Sequence, residues 1–194
     1  MSAKALPELP VFYATTEGQS ERIALRLRDH LLEHGLASEA LAIAGLQGEE
    51  LDWSAVRGLA LCASIHHGDH QRVARDFARA QRGPLTAVPS LFVSVSLAAH
   101  STDREEQEAA AALAASFGER SGWRASRIAS VAGSLAYTRY GWLKRWMMRR
   151  ISKAEGGPTD TSRDHEFTDW AQVERLAKEL AEAARGQPAT PSVR

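Results

Sequence analysis

The sequence predicts an α/β fold: a doubly wound, mostly parallel five-stranded sheet covered by helices on both faces. Three observations lead there. Five short apolar runs alternate with amphipathic stretches of helical period. The third run, Leu59 to Ser64, is continuous, as expected of a strand buried on both sides. The first run ends in a hydroxyl-rich turn that leads at once into a helix. Such sheets have right-handed crossovers and bind ligands beyond the carboxyl ends of their strands. Three loops therefore become candidates: Thr15–Ser20, Ser64–His70 and Ser94–Ser101.

In chain order, Val11 to Ala14 is the first strand. Glu21 to His34 follows as a helix with Ile23, Leu27 and Leu31 on one face, and Gly35 stops it. Leu41 to Ala44 is a weak second strand and Leu59 to Ser64 the third. Gln71 to Ala80 reads as a helix carrying Val73 and Phe77. Pro89 precedes the fourth strand, Ser90 to Leu97. Asp103 to Phe117 is Ala-rich and helical, and Arg127 to Ala132 is the fifth strand. Asp169 to Arg185 closes the domain, with Val173, Leu176 and Leu180 on one face. Residues 1–185 thus read as one domain, and Gly186 to Arg194, with Pro188 and Pro191, as a frayed tail. The insertion before the last helix, 134–168, is about 35 residues long where connections usually take 2–6. Its aromatic and methionine content argues against disorder.

A chain of 194 residues can bury a proper core as one domain. Its formal net charge of +0 excludes a grossly basic nucleic-acid binder and a grossly acidic electron carrier. The single cysteine, Cys62, leaves no intrachain disulfide framework and fits a reducing compartment. Met1 to Pro10 has no long apolar stretch and no cleavage-site pattern, so it does not read as a signal peptide. No segment approaches the roughly 18 uncharged apolar residues of a spanning helix, so membrane contact is expected to be peripheral.

The first loop, Thr15-Thr16-Glu17-Gly18-Gln19-Ser20, gathers hydroxyls, main-chain N–H groups and the positive end of a helix dipole, which together hold a phosphate. It lacks the lysine of a nucleotide triphosphatase loop and the G-x-G-x-x-G of dinucleotide binders. The competing reading is an ordinary helix start with Ser20 as N-cap. The second loop contains His66, His67, Asp69 and His70. Adjacent histidines rarely share one ion and no carboxylate or cysteine cluster supports them, so no metal is assigned and the imidazoles are expected to face solvent beside a planar ligand. Gly68 permits a tight turn there. The third loop, Ser94-Val95-Ser96-Leu97, is small enough for its backbone to approach a flat ring, or is a plain strand end.

The insertion carries Tyr137-Thr138-Arg139-Tyr140-Gly141-Trp142-Leu143-Lys144-Arg145-Trp146-Met147-Met148-Arg149-Arg150-Ile151-Ser152-Lys153, with six cations and no acid. Trp142 and Trp146 lie one helical turn apart, as do Leu143 and Met147, and Arg145 and Arg149 form a cationic ridge. Arg150 and Lys153 interrupt the apolar face, although long basic side chains snorkel. Two readings stand: an interfacial helix on an anionic membrane, with about 1 kcal/mol from each basic residue, or a basic helix packed on its own domain. Nucleic acid is not expected, because the basic residues are confined to one segment.

These blocks resemble the flavodoxin-like, quinone-dependent protoporphyrinogen IX dehydrogenases of bacterial haem biosynthesis, from roughly Val11 to Leu180. The carriers are Thr15-Thr16-Glu17-Gly18-Gln19-Ser20, Ala63-Ser64-Ile65 with Gly68, Pro89-Ser90 into Ser94-Val95-Ser96-Leu97, and Ala132-Gly133-Ser134-Leu135. More specific still are Tyr137-Thr138-Arg139-Tyr140 with Trp142, Gly156-Gly157-Pro158-Thr159-Asp160-Thr161, and Phe167-Thr168-Asp169-Trp170. His66-His67 departs from the basic-then-aromatic pair of the family, and the N-terminus is longer.

The resemblance implies a flavodoxin-like fold, FMN, and a six-electron oxidation of protoporphyrinogen IX with menaquinone or ubiquinone as acceptor. The place of work would be the cytoplasmic face of the inner membrane. It implies that Thr15, Thr16, Gly18, Gln19 and Ser20 hold the FMN phosphate. Ser64, Ile65 and Gly68 would flank the ring on one side and Ser94, Val95, Ser96 and Leu97 on the other, with Gly133, Ser134 and Leu135 nearby. Tyr137, Arg139, Trp142, Lys144, Arg145, Trp146 and Arg149 would contact substrate or membrane, with Arg139, Lys144 and Arg145 suited to the two propionates. No catalytic residue is assigned; His66, His67 and Tyr137 are the candidate proton acceptors. A homo-oligomer is compatible with the sequence. The rival classes are a flavodoxin-type electron carrier, an NAD(P)H:quinone reductase and a non-enzymatic membrane scaffold.

Overall fold

The computed structural model describes residues 3–66, 68–101, 103–135, 160–162 and 164–186. Ten strands are described: β1 Lys4–Ala5, β2 Leu9–Ala14, β3 Ser38–Ala42, β4 Leu51–Asp52, β5 Leu59–His66, β6 Asp69–His70, β7 Ser90–Ser96, β8 Arg127–Ala132, β9 Ser134–Leu135 and β10 His165–Glu166. The helices are α1 Gln19–Glu33, α2 Arg72–Ala80, α3 Arg82–Ala87, α4 Arg104–Ser121 and α5 Trp170–Arg185. The central sheet runs β3-β2-β5-β7-β8, every neighbouring pair parallel. These are the five strands expected from sequence, in a doubly wound order that reverses between β2 and β5.

Side chains on a strand alternate between faces, and both faces here are covered. Leu9, Val11, Cys62, Val93 and Val131 pack against Ile23, Leu27 and Leu31 of α1 and Val173, Leu176 and Leu180 of α5. Phe12, Leu61 and Phe92 pack on the other side against Ala74 and Ala78 of α2, Leu85 of α3 and Phe117 of α4. That is why the central strands read as unbroken apolar runs. Trp123, after α4, is fully buried and donates its indole N–H to the Leu85 carbonyl at 3.1 Å. Phe92 and Phe117 stack beside it at 4.1 Å between ring centroids. Sheet and α5 approach so closely at Gly58 that a Cβ there would lie 2.7 Å from Leu9 Cδ2 and 3.1 Å from Ala184 Cβ.

The structure corrects several boundaries. The second strand is Ser38–Ala42, and Ile43–Leu46 instead forms a single 3₁₀ turn that drops Ile43 and Leu46 into the core. β5 runs two residues beyond Ser64, because Ile65 and His66 pair back on β6 as an antiparallel hairpin. α3 forms despite Pro84, which sits in its first turn, where a missing N–H costs nothing. α4 continues to Ser121 and ends at Gly122 in the left-handed region, φ 75°. β1 and β4, a two-residue parallel pair, were not expected.

The two ends of the insertion meet: β9 and β10 pair antiparallel, Ser134 opposite Glu166. Tyr137, Arg139, Trp142, Lys144, Arg145, Trp146 and Arg149, together with His67 and the tail 187–194, lie outside the described residues. Among the described residues no helix is long and apolar enough to cross a membrane.

Candidate functional site

β2 delivers the chain to the point where the strand order reverses, and the first loop sits there. Thr15 Oγ1 accepts the Gly18 N–H at 2.8 Å and closes the turn. Gly18 has φ 92°, a left-handed conformation that a side chain would strain. Its N–H, expected to face phosphate, is therefore used inside the turn, and its contribution is conformational. Gly18 is also the N-cap of α1, and no side chain caps the helix. The long helices α4 and α5 differ: Asp103 accepts the Glu105 N–H, and Asp169 accepts those of Ala171 and Gln172.

Ser20 therefore lies inside α1 rather than capping it, which removes the ordinary-helix-start reading. Its side chain is fully buried, and its Oγ has no hydrogen-bond partner among the described residues. Leaving such a hydroxyl unsatisfied costs about 1–3 kcal/mol. An uncapped helix start with a buried, partnerless hydroxyl one residue in is the donor set a phosphate dianion takes up. The residues present thus fit the phosphate of a mononucleotide cofactor.

Gln19 is buried, and its side chain turns out to be a junction. Its Nε2 donates to Thr168 Oγ1 at 2.7 Å and Glu166 Oε1 at 2.9 Å, and its Oε1 accepts from Arg22 Nη1 at 3.0 Å and Ser134 Oγ at 3.1 Å. Thr168 also donates to the Ala132 carbonyl at 2.7 Å. The Arg22 guanidinium pairs with Glu166 at 3.1 Å and lies 5.7 Å from the Trp170 ring centroid. Of the expected ligands, Gln19 can offer its main-chain N–H alone, and the Ser134 hydroxyl is already engaged. Tyr13 OH donates to Glu21 Oε1 at 3.1 Å; burial, then that carboxylate, raises the phenol above its usual range.

The second loop is tied to the first by Gln71, which sequence reasoning took only for the start of a helix. Its Oε1 accepts the Ser64 N–H at 3.0 Å, and its Nε2 donates to Ser64 Oγ at 2.7 Å and Thr16 Oγ1 at 3.3 Å. A polar residue at the top of a helix facing two loops was the available signal. Ile65 pairs with His70, and Gly68 makes the tight turn at φ 75°.

His70 corrects the expectation of solvent-facing imidazoles. It is buried, its Nε2 lies 2.9 Å from Ser94 Oγ, and its ring stands edge-on to Phe92 and Phe117 at 5.2 Å each. Burial lowers its pKa to about 4; Asp69 opposes this, and Arg120 and Arg75 add to it. Asp69 pairs with Arg75 and Arg120. Burial pushes its pKa up, but the Arg120 hydrogen bond, the His70 N–H and the two guanidinium charges bring it below the usual carboxylate range. Among the described residues no group of three or more His, Cys, Asp or Glu is placed to hold a metal.

In the third loop Ser94 and Val95 are buried and the Ser94 hydroxyl is engaged by His70, so Ser96 and Leu97 are the residues the loop presents at its surface. Ser96 Oγ accepts the Ala99 N–H at 3.3 Å and its carbonyl accepts the Gly133 N–H at 3.0 Å. Leu97 is exposed. His100 stacks on Phe167 at 4.6 Å, and the Phe167 N–H donates to the Gly133 carbonyl. The fold therefore brings all three loops and the insertion base to one end of the sheet. Cys62 takes no part: it is buried in the core, and burial pushes its thiol pKa up. An open cleft of about 720 Å³ lined by Arg82, Thr86 and Arg124 lies between α3 and the end of α4, apart from these loops.

Comparison with known proteins identifies the family and the fold. The family model described as a flavodoxin domain matches residues 10–162. Protoporphyrinogen IX dehydrogenase [quinone] of Escherichia coli K12 is 33% identical over 171 residues, covering 88% of this chain and 93% of the relative. The Leishmania major protein of the same name is 28% identical over 193 residues, covering 97% and 81%. Among solved structures, two-electron reduced Megasphaera elsdenii flavodoxin aligns with a TM-score of 0.53 at 10% identity, over 90% of this chain and 99% of its own, a likeness of fold.

Proposed function

The chain belongs to the flavodoxin-domain family, and from that premise we propose that it is an FMN-dependent protoporphyrinogen IX dehydrogenase of haem biosynthesis that passes electrons to menaquinone or ubiquinone. The observation that carries the proposal is the uncapped start of α1 with the buried, partnerless Ser20 hydroxyl. The name and identity of the bacterial relative support the choice of substrate and acceptor.

FMN, when bound, would supply the two-electron redox chemistry between substrate and acceptor. The protein's own residues bind and orient. The N–H groups of Gln19 and Ser20 and the hydroxyls of Thr15, Thr16 and Ser20 hold the phosphate. Thr15 and Thr16 each already accept one hydrogen bond through Oγ1, which leaves their O–H free to donate. Ser64, held by Gln71, flanks the ring on one side together with Ile65 and Gly68, and Ser94–Leu97 flank it on the other, with Gly133, Ser134 and Leu135 beside it. Burial keeps His70 neutral at physiological pH, so no fixed imidazolium sits behind the second loop. Tyr137, Arg139, Trp142, Lys144, Arg145, Trp146 and Arg149 of the insertion serve the substrate propionates and an anionic bilayer surface. Quinone resides in the bilayer, so the enzyme works in peripheral contact with the cytoplasmic face of the inner membrane.

The test is anaerobic incubation of purified protein, reconstituted with FMN, with protoporphyrinogen IX and lipid-dispersed quinone. Porphyrin fluorescence should rise above the rate without enzyme. No increase contradicts the proposal, and bleaching of the flavin by NADPH instead points to an NAD(P)H:quinone reductase. Deleting residues 140–153 should leave FMN bound and abolish quinone-coupled turnover; unchanged turnover would defeat the membrane role of the insertion.

A further inference from the structure

We propose that Gln19 is a positioning residue that couples filling of the phosphate loop to docking of the insertion base, so that each stabilises the other. The inference rests on the phosphate reading above and goes beyond it, because it assigns a role to a side chain that need not touch the cofactor.

Gln19 belongs to two structures at once. Its main-chain N–H lies in the uncapped first turn of α1. Its side-chain amide uses all of its hydrogen-bonding capacity, two donors and two acceptor positions, on Thr168, Glu166, Arg22 and Ser134. Three of those partners lie at the ends of the insertion: Ser134 begins it on β9, Glu166 lies near its close on β10, and Thr168 ends it. Thr168 passes the connection on to the Ala132 carbonyl at the end of β8. The same base reaches the third loop through the Phe167 N–H on Gly133, the Gly133 N–H on Ser96, and the Phe167 ring on His100.

A buried network of this kind gains most when every member is paired, and a displaced member leaves others unsatisfied. Ligation that fixes the first turn of α1 therefore fixes the amide, and the amide fixes the strands from which the insertion springs. Linkage requires the converse: a docked base holds Gln19, and with it the turn that receives the phosphate. In this way the segment assigned to substrate and membrane is seated best on protein that already holds its cofactor.

The test compares wild type, Gln19→Ala and Thr168→Val, with FMN and riboflavin affinities read from flavin fluorescence quenching. Amide hydrogen exchange is followed at residues 132–135 and 165–168. Gln19→Ala keeps the main-chain N–H, and Thr168→Val keeps the shape of the side chain, so neither removes a phosphate donor. Both variants should bind FMN about 5- to 50-fold more weakly and riboflavin, which has no phosphate, within about twofold of wild type. FMN should slow exchange at the base in wild type and do so less in both variants. A general loss of packing would weaken both flavins alike, and that result overturns the proposal, as does wild-type FMN affinity in the variants. If Gln19→Ala does not fold, Thr168→Val decides. Wild type that fails to bind FMN at all removes the phosphate reading itself, whereas wild-type binding with no change in the variants removes only the coupling.

Discussion

Ser20→Ala should strengthen the flavin-free protein and weaken its hold on FMN, two effects of opposite sign from one atom. In the flavin-free fold Ser20 Oγ is buried with no partner among the described residues. Its removal should therefore stabilise the protein by about 1–2 kcal/mol, the order of a buried unsatisfied hydroxyl. For a chain of this size that is a rise of about 2–8 °C in Tm. On the proposed function the same hydroxyl would donate to the FMN phosphate dianion, and a hydrogen bond to a charged group contributes about 1.5–3 kcal/mol. At about 1.4 kcal/mol per factor of ten, FMN should dissociate roughly 10- to 150-fold more readily from the variant. Riboflavin affinity should be unchanged. Differential scanning fluorimetry without flavin and fluorescence titration with both flavins make the measurement. A variant that binds FMN like wild type, or one whose flavin-free form melts lower, would refute the reasoning.

Two further outcomes are expected. His70 has a folded pKa of about 4 against an ordinary 6.5, so the native state binds fewer protons than the unfolded state between those values. The stability due to its neutral ring is complete above pH 6.5 and is lost as pH falls toward 4, up to about 3 kcal/mol. Asp69, whose pKa is lowered too, adds its own loss only at more acid pH. Urea unfolding of His70→Leu should show a flatter pH dependence than wild type across that window; equal slopes would mean another group carries it. Trp123→Phe deletes the indole N–H that satisfies the Leu85 carbonyl and opens a small void under Phe117. It should cost about 1–3 kcal/mol with FMN affinity unaltered, by thermal unfolding and titration; an unchanged Tm would contradict the packing described.

The fold was legible where burial is local in its cause. β5 and β7 lie between layers on both faces, so Leu59–Cys62 and Leu91–Val93 had to be apolar, and the pattern announced them. β6 was hidden because Asp69 and His70 are polar; their place depends on Arg75, Arg120 and Ser94, which only the fold brings near. α3 was hidden because Gly83 and Pro84 are residue types that ordinarily interrupt helices, whereas a proline in a first turn loses nothing. The turn proposed to hold phosphate could be picked out because six consecutive residues carry it. The roles of Gln19 and Gln71 could not, because an amide announces hydrogen bonding without naming its partners. Those partners, Glu166 and Thr168 for one and Thr16 and Ser64 for the other, lie on separate elements. Ser20 shows the converse: its type suggested a cap, and only the position of Gly18 as N-cap shows that the hydroxyl does not cap α1.

A crystal structure of the protein grown with FMN tests the central claim most directly. The expected result is phosphate density within hydrogen-bond distance of Ser20 Oγ and the Gln19 and Ser20 amides, with the ring between the second and third loops. Flavin bound elsewhere, or a start of α1 closed by side chains of the protein itself, would contradict the account.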